Sequence, residues 1–103
     1  MDERKSEIIE LLKSKALNNS VRVAIITILY YSGSLSFSRL LELLQIPKSS
    51  LEFHIKLLEE EQLINVKDVI RPSRPGVSIS LTEKGRETFK KLSEFMGGGN
   101  GRE

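Results

Sequence analysis

The sequence predicts a mostly helical α+β fold, in which a helix-turn-helix runs into a β-hairpin and further helices flank both. Three observations carry that prediction. Apolar residues recur at helical spacing in five stretches of the chain. The third and fourth of these stretches lie only a few residues apart, the spacing of a helix-turn-helix. Two stretches that alternate between apolar and polar residues, 63–70 and 77–81, then flank Arg71-Pro72-Ser73-Arg74-Pro75-Gly76, and that is the pattern of a hairpin with a basic tip.

Composition bounds the reading. A chain of 103 residues, 39% apolar and 29% charged, is expected to be one folded domain with a modest core. The absence of cysteine excludes disulfides and thiolate metal sites, and a single histidine excludes a His-rich one. The acids do not cluster at loop positions as a hard cation requires, so no metal or cofactor is expected. The chain opens on the charged MDERKSE rather than a signal peptide, and no apolar run approaches membrane-spanning length. A cytoplasmic protein with no membrane partner is expected. A net charge of +2 permits nucleic-acid binding without demanding it; where the charges lie matters more.

Taken in order, residues 3–17 form an amphipathic pattern, with Asp2 and Glu3 at its start and Lys13 and Lys15 near its end, both favourable to a helix dipole. Asn18-Asn19-Ser20 breaks that helix and supplies a cap for the next. Residues 21–31 are nearly all apolar; their length, the cap before them and Gly33 as a left-handed terminator favour a buried helix over a strand. Leu35 can add a residue or two to a small sheet, and Ser36 caps a short helix that turns Phe37, Leu40, Leu41 and Leu44 inward. In residues 46–62, Pro47 fits the first helical turn, while Leu51, Ile55 and Leu58 make a core stripe continued by Gln62. The opposite side carries Ser49, Phe53, Lys56 and Glu60, with Ser50, Glu52 and Leu57 on its flanks. In the hairpin Val77, Ile79 and Leu81 share a buried face, and Pro75-Gly76 fits the central pair of a type II turn. Thr82 caps a last helix, 83–96, with Phe89, Leu92, Phe95 and Met96 on one stripe, and GGGNGRE after it has the composition of a flexible tail.

This order of elements is that of a winged helix-turn-helix. SVRVAIITILYYSGSLSFSRLLELLQIPKSSLEFHIKLLEEEQLI, the hairpin and LTEKGRETFKKL together resemble the winged-helix transcriptional regulators of the MarR/ArsR superfamily, in particular small archaeal members. The resemblance covers roughly residues 20–92. Its most telling pieces are Arg22 near a helix start, the IPKSSLEFHIKLLEEEQLI block and Leu81-Thr82-Glu83-Lys84-Gly85. Glycine is usual in the family where Gln62 stands. The metal-sensing cysteines of ArsR proteins are absent, which removes metal-regulated release from DNA. The resemblance implies sequence-specific binding of double-stranded DNA by a homodimer. The expected organisation is one domain, 1–96, made of a dimerisation helix (1–17), a winged core (20–81) and a C-terminal helix (82–96), followed by the tail 97–103.

The physical case for DNA stands beside the resemblance. The first two turns of a helix in the major groove reach base edges. Ser49 and Ser50 can bond bases or phosphates, Glu52 can accept from cytosine, Lys56 can reach a phosphate, and Phe53 can pack on a thymine methyl. A partner helix or a core edge would explain Phe53 equally well. Arg39 and Lys48 fit phosphate clamps, and Arg71 and Arg74 on a thin hairpin can enter a minor groove. His54 beside the stripe reads as a half-buried structural histidine, and Arg22 can pair with an acid. Glu59, Glu60 and Glu61 make the far end of the recognition helix acidic, so affinity is expected to be salt-sensitive and modest per monomer.

The remedy is a dimer through the terminal helices, with Ile8, Leu12, Phe89, Leu92, Phe95 and Met96 at the interface, unless those helices only cover their own core. A pocket between these helices and the core can hold a small effector that nothing in the sequence specifies. The alternative function is a winged helix used as a protein-interaction module within an assembly, favoured by Phe53 and the acidic run. No nucleophile–base motif or phosphate-cradling glycine loop is present, so an enzyme is not expected.

Overall fold

The computed structural model describes residues 3–70 and 75–97. Along them run α1 (Glu3–Lys13), α2 (Ser20–Ser32), β1 (Ser34–Ser36), α3 (Phe37–Leu44), α4 (Lys48–Glu60), β2 (Ile64–Ile70), β3 (Pro75–Leu81) and α5 (Glu83–Phe95). This is the predicted fold: a winged helix-turn-helix in a mostly helical α+β chain, with helices on both flanks.

The helix ends explain the boundaries. The first helix stops at Lys13 rather than Leu17, because Ser14 turns the chain: its hydroxyl donates to Leu11 O at 2.6 Å, and its carbonyl accepts from Leu17 and Asn18. Ala16 and Leu17 are buried all the same, so the apolar period there marks burial, not helix. At the start of α2 the Asn19 side chain accepts from Val21 N at 2.9 Å and Arg22 N at 3.2 Å. Ser36 caps α3, as predicted, and Gln45 ends it in the left-handed region at φ 54°. Pro47 occupies the cap position before α4 instead of its first turn, so α4 starts without a side-chain cap.

The sheet has the order β1-β3-β2, all antiparallel, with Leu35 opposite Ile79 and Val66 opposite the same residue on the other side. Pro75 and Gly76 are not the centre of a turn. They pair with Ile70 and Val69 as the first residues of β3, where a proline costs no ladder bond that the strand interior needs, and Gly76 is not among the positive-φ residues. Residues 71–74, which contain Arg71 and Arg74, and the tail 98–103 lie outside the described residues.

Ile25, Ile26 and Leu29 of α2 are fully buried at the centre, with Leu40, Leu51, Leu58 and Ile79 closing around them. The central helix therefore touches α4, α5 and the sheet at once. In α4 the core stripe of Leu51, Ile55 and Leu58 is wider than its spacing suggests. Leu57, expected on the flank of the outward face, is also buried, since α4 packs on both α2 and β2.

One joint ties α4 to the hairpin. Gln62 does not continue the stripe; it takes φ 62° beyond the helix end, Leu63 N donates to Leu58 O at 3.0 Å, and Gln62 N donates to Glu59 O at 2.9 Å. That pair of hydrogen bonds is a Schellman motif, a helix ending whose left-handed residue is most often glycine. Thr82 locks the joint from the other side. Its hydroxyl donates to Gln62 O at 2.7 Å and accepts from Gly85 N at 3.0 Å, while its main-chain N donates to Leu63 O at 3.0 Å. Lys84 Nζ adds a bond to Glu61 O at 2.9 Å. Gly85 is buried here, and a β-carbon on it would collide with Leu63 O.

Candidate nucleic-acid interface

The exposed side of α4 is assembled by exclusion. Once Leu51, Ile55, Leu57 and Leu58 are buried, the helix must present Lys48, Ser49, Glu52, Phe53 and Lys56 to solvent, with Ser50 half-buried beside them. The six sequence-predicted residues of this helix therefore lie along its outward side, mostly in its first two turns. The N–H groups of Lys48, Ser49 and Ser50 have no intrahelical partner, because the first such bond runs from Leu51 N to Pro47 O at 3.1 Å. Free main-chain donors, two hydroxyls and two lysines make this end a place where an anion finds hydrogen-bond partners.

Phe53 is 57% exposed, the one aromatic on that side, and its ring meets the His54 imidazole edge-on at a centroid distance of 5.9 Å. A single exposed apolar side chain is ordinary on a protein surface, so Phe53 bears on an interface only together with the hydroxyls and lysines beside it. Arg39, the predicted clamp on α3, is exposed and engaged: its Nη1 lies 2.6 Å from Glu42 Oε1 one turn on. An exposed pair of this kind contributes little stability, so Arg39 can exchange Glu42 for a phosphate at small cost. Glu59 and Glu60 are exposed at the distal end of α4, away from Ser49 and Ser50. Arg71 and Arg74 fall in the segment outside the described residues, between the paired ends Ile70 and Pro75 of the hairpin.

Arg22 has no acidic partner among the described residues. It is buried at 6% exposure, and its Nε donates to Ala16 O at 2.8 Å, its Nη2 to Lys15 O at 3.2 Å and Asn18 Oδ1 at 3.1 Å, and its Nη1 to His54 Nδ1 at 2.8 Å. Arginine cannot accept a hydrogen bond, so Nδ1 is the bare nitrogen and the neutral ring carries its proton on Nε2. Burial, and then the Arg22 charge beside it, hold the His54 pKa below its ordinary value of 6.5. A lone arginine in the apolar run 21–31 was the sequence signal for a buried polar joint. Two of its four partners are main-chain carbonyls, which leave no trace in residue types, and the other two are the side chains of Asn18 and His54.

The six residues proposed for pairing divide in two. Ile8, Phe89 and Leu92 are buried within the chain, Phe89 stacked on Tyr30 at 4.4 Å, whereas Leu12, Phe95 and Met96 are exposed. Ile9 and Tyr31 join the exposed set, with Tyr31 at 74%, and neither stands out by periodicity alone. Between α1, α2 and α5 a cavity of about 320 Å³ is lined by Leu12, Val23, Thr27, Phe89, Leu92, Ser93 and Met96. Among the described residues, no helix is long and apolar enough to cross a membrane, and no group of three or more His, Asp or Glu is placed to hold a metal ion.

Comparison with known proteins agrees with this geometry. The profile of a family described as winged helix DNA-binding domain matches residues 21–97. The uncharacterised protein MJ0432 of Methanocaldococcus jannaschii is 37% identical over 76 residues, which is 74% of this chain and 83% of that protein. A transcriptional regulator homologue from Pyrococcus horikoshii OT3 superposes with a TM-score of 0.74 at 29% identity, covering 90% of this chain and 96% of that one. In fold alone, a proposed MarR-family transcriptional regulator from Enterococcus faecalis V583 matches with a TM-score of 0.78 at 20% identity, over 96% of this chain and 86% of the other.

Proposed function

We propose, because this chain belongs to the winged helix DNA-binding domain family, that it is a sequence-specific regulator of transcription that binds double-stranded DNA as a homodimer. The observation that carries the reading is the outward side of α4: uncapped N–H groups at its start, then Lys48, Ser49, Ser50, Glu52, Phe53 and Lys56, held outward by a fully committed apolar side. In a major groove such a helix presents its hydroxyls and carboxylate to base edges and its lysines to phosphates. Phe53 then covers a thymine methyl. Arg39 moves from Glu42 to the backbone, and Arg71 and Arg74 supply the hairpin's charge to a minor groove or its phosphates. This matches a winged helix related to the MarR/ArsR-like regulators, and a small archaeal member is the kind proposed.

The pairing surface is proposed at Leu12, Phe95 and Met96, extended by Ile9 and Tyr31, since these apolar side chains stand exposed among the described residues. Ile8, Phe89 and Leu92 support that surface from beneath. The cavity beside Leu12 and Met96 is the place where a small effector would sit at the same seam. A cytoplasmic location is proposed with this function.

Three measurements test the reading. Sequences enriched from a random duplex library should converge on a pseudo-palindrome. With Arg71 and Arg74 changed to alanine, the slope of log K against log salt should become shallower by about 0.9 for each phosphate the hairpin had neutralised. An unchanged slope removes the hairpin from the interface. The second reading, a protein-interaction module, is favoured by exposed Phe53 and by the acidic far end of α4 with Glu59 and Glu60; it predicts no enrichment and no salt slope. Sedimentation at micromolar concentration should give a dimer, and a monomer there refutes the pairing surface.

A further inference from the structure

We infer that Arg22 and His54 are a positioning pair: together they tie the setting of α4 to the connection between α1 and α2, and a proton taken up by the imidazole releases that tie. The geometry is specific. Three of the four bonds from the Arg22 side chain go to residues 15–18, the connection after α1, and the fourth crosses to the second turn of α4. One buried guanidinium thus fixes where the first helix leaves and how the recognition helix sits. His54 is the neighbour of Phe53 in sequence and in space, so its setting reaches the outward side of α4.

The pair has no buffer against added charge. The groups that act on the imidazole are the Arg22 guanidinium from α2 and, on α4, the Phe53 ring; Lys15 and Ala16 contribute neutral carbonyls and Asn18 a neutral amide, all bound to Arg22. No carboxylate among the described residues is in ion-pair reach of His54. Protonation would set an N–H on Nδ1 against an Arg22 N–H at 2.8 Å, replacing a hydrogen bond by two facing donors of like charge. Burial first, and then this repulsion, hold the imidazole's pKa below its ordinary value. Release would free the connection to α1, and with it the angle between α4 and the first helix.

The effect on DNA rests on the function proposed above, so the test has an arm that does not use DNA. His54 is the only imidazole in the chain, which makes its titration unambiguous. In an NMR titration of the full chain from about pH 8 to about pH 5, the ring should begin as the Nε2–H tautomer and titrate below about 6.5. Amides of residues 14–22 should shift on the same curve as those of α4. An Nδ1–H tautomer, or amides 14–22 that stay still, overturns the proposal. In the second arm, affinity for a selected duplex should fall by up to about tenfold per pH unit below the His54 midpoint, the slope for one linked proton. His54→Asn puts an oxygen where Nδ1 was and cannot titrate; it should bind within about threefold of wild type at about pH 8 and lose the acid-side fall. A variant that keeps the wild-type profile refutes the link to DNA. Absence of DNA binding at every pH counts against the proposed function, and the NMR arm then decides the pair by itself, as it does if His54→Asn fails to fold.

Discussion

Gly85→Ala is the substitution whose sign tells most about this fold. In an ordinary exposed helix the change would stabilise by about 1 kcal/mol through backbone propensity. Here the new β-carbon would fall on Leu63 O and also lie 3.2 Å from Leu63 C and from Leu81 Cδ2. Neither side yields easily. Leu63 O accepts from Thr82 N at 3.0 Å, and Leu63 N is held by Leu58 O in the Schellman turn. Drawing α5 back by about an ångström, to reach ordinary van der Waals distance, parts that Thr82 bond, which costs about 1 kcal/mol. The same movement loosens the Thr82 cap, worth about 1 kcal/mol. It also lifts Phe89 and Leu92 from the core, a misfit of about 1–3 kcal/mol. Net of the propensity gain, the expected loss is about 2–4 kcal/mol, or about 10–20 °C in Tm for a domain of this size. Urea and thermal unfolding followed by circular dichroism measure it. A variant as stable as wild type, or more so, would mean that α5 and the β2 approach are not locked together, and the account of the joint would fail.

The opposite sign is expected next door: Gln62→Gly should stabilise by about 0.5–1 kcal/mol, because the residue holds φ 62° and its contribution to the joint is its main-chain carbonyl; a loss in urea unfolding would contradict this. Stability should decline with acid in a particular window. His54 is neutral in the fold with a lowered pKa, so the unfolded chain binds more protons; its contribution is complete above about pH 6.5 and disappears as pH falls through the lower folded value. Urea midpoints at successive pH values test this, with His54→Asn removing that part of the slope. Phe53→Ala should change Tm by no more than about 0.5 kcal/mol's worth, since the ring is 57% exposed, yet weaken binding to the selected duplex by about 1 kcal/mol or more if it covers a thymine methyl. Glu42→Gln should leave stability nearly unchanged and tighten binding to random duplex a few-fold, at about 1 kcal/mol or less, by freeing Arg39; an unchanged affinity removes Arg39 from the backbone contacts.

Much of the architecture was legible in residue patterns, for identifiable reasons. Helical period and caps are local properties, so Asn19, Ser36 and Thr82 could be recognised as caps before any tertiary contact was known. The outward side of α4 was legible because burying Leu51, Ile55 and Leu58 leaves only one direction for Ser49 and Phe53. What escaped depends on partners far along the chain. Pro75-Gly76 has turn chemistry, and only pairing with Ile70 and Val69 makes it strand. Gly85 looks like a weak point in a helix until Leu63 O is placed against it. A stripe such as Phe89, Leu92, Phe95 and Met96 announces an apolar face but not what covers it; Tyr30 and the core take Phe89 and Leu92, and the last two are left open. Arg22 binds two main-chain carbonyls, which every residue carries, and its His54 partner lies 32 residues away, so local pattern could not reveal the joint.

The pairing of Ser36 with Ser78 has a consequence for how the molecule comes apart. That contact closes a loop of chain, and α3, α4 and β2 all lie inside it. The closure entropy is recovered only when β3 is in place, so α3 and α4 gain little by forming early and lose their tether as soon as the third strand leaves. Fraying at the hairpin therefore cannot remain local. A peptide ending before Pro75 should lack a stable helix-turn-helix although every residue of it is present, and in the intact chain amide exchange in α4 should proceed with that in β3, as one cooperative unit.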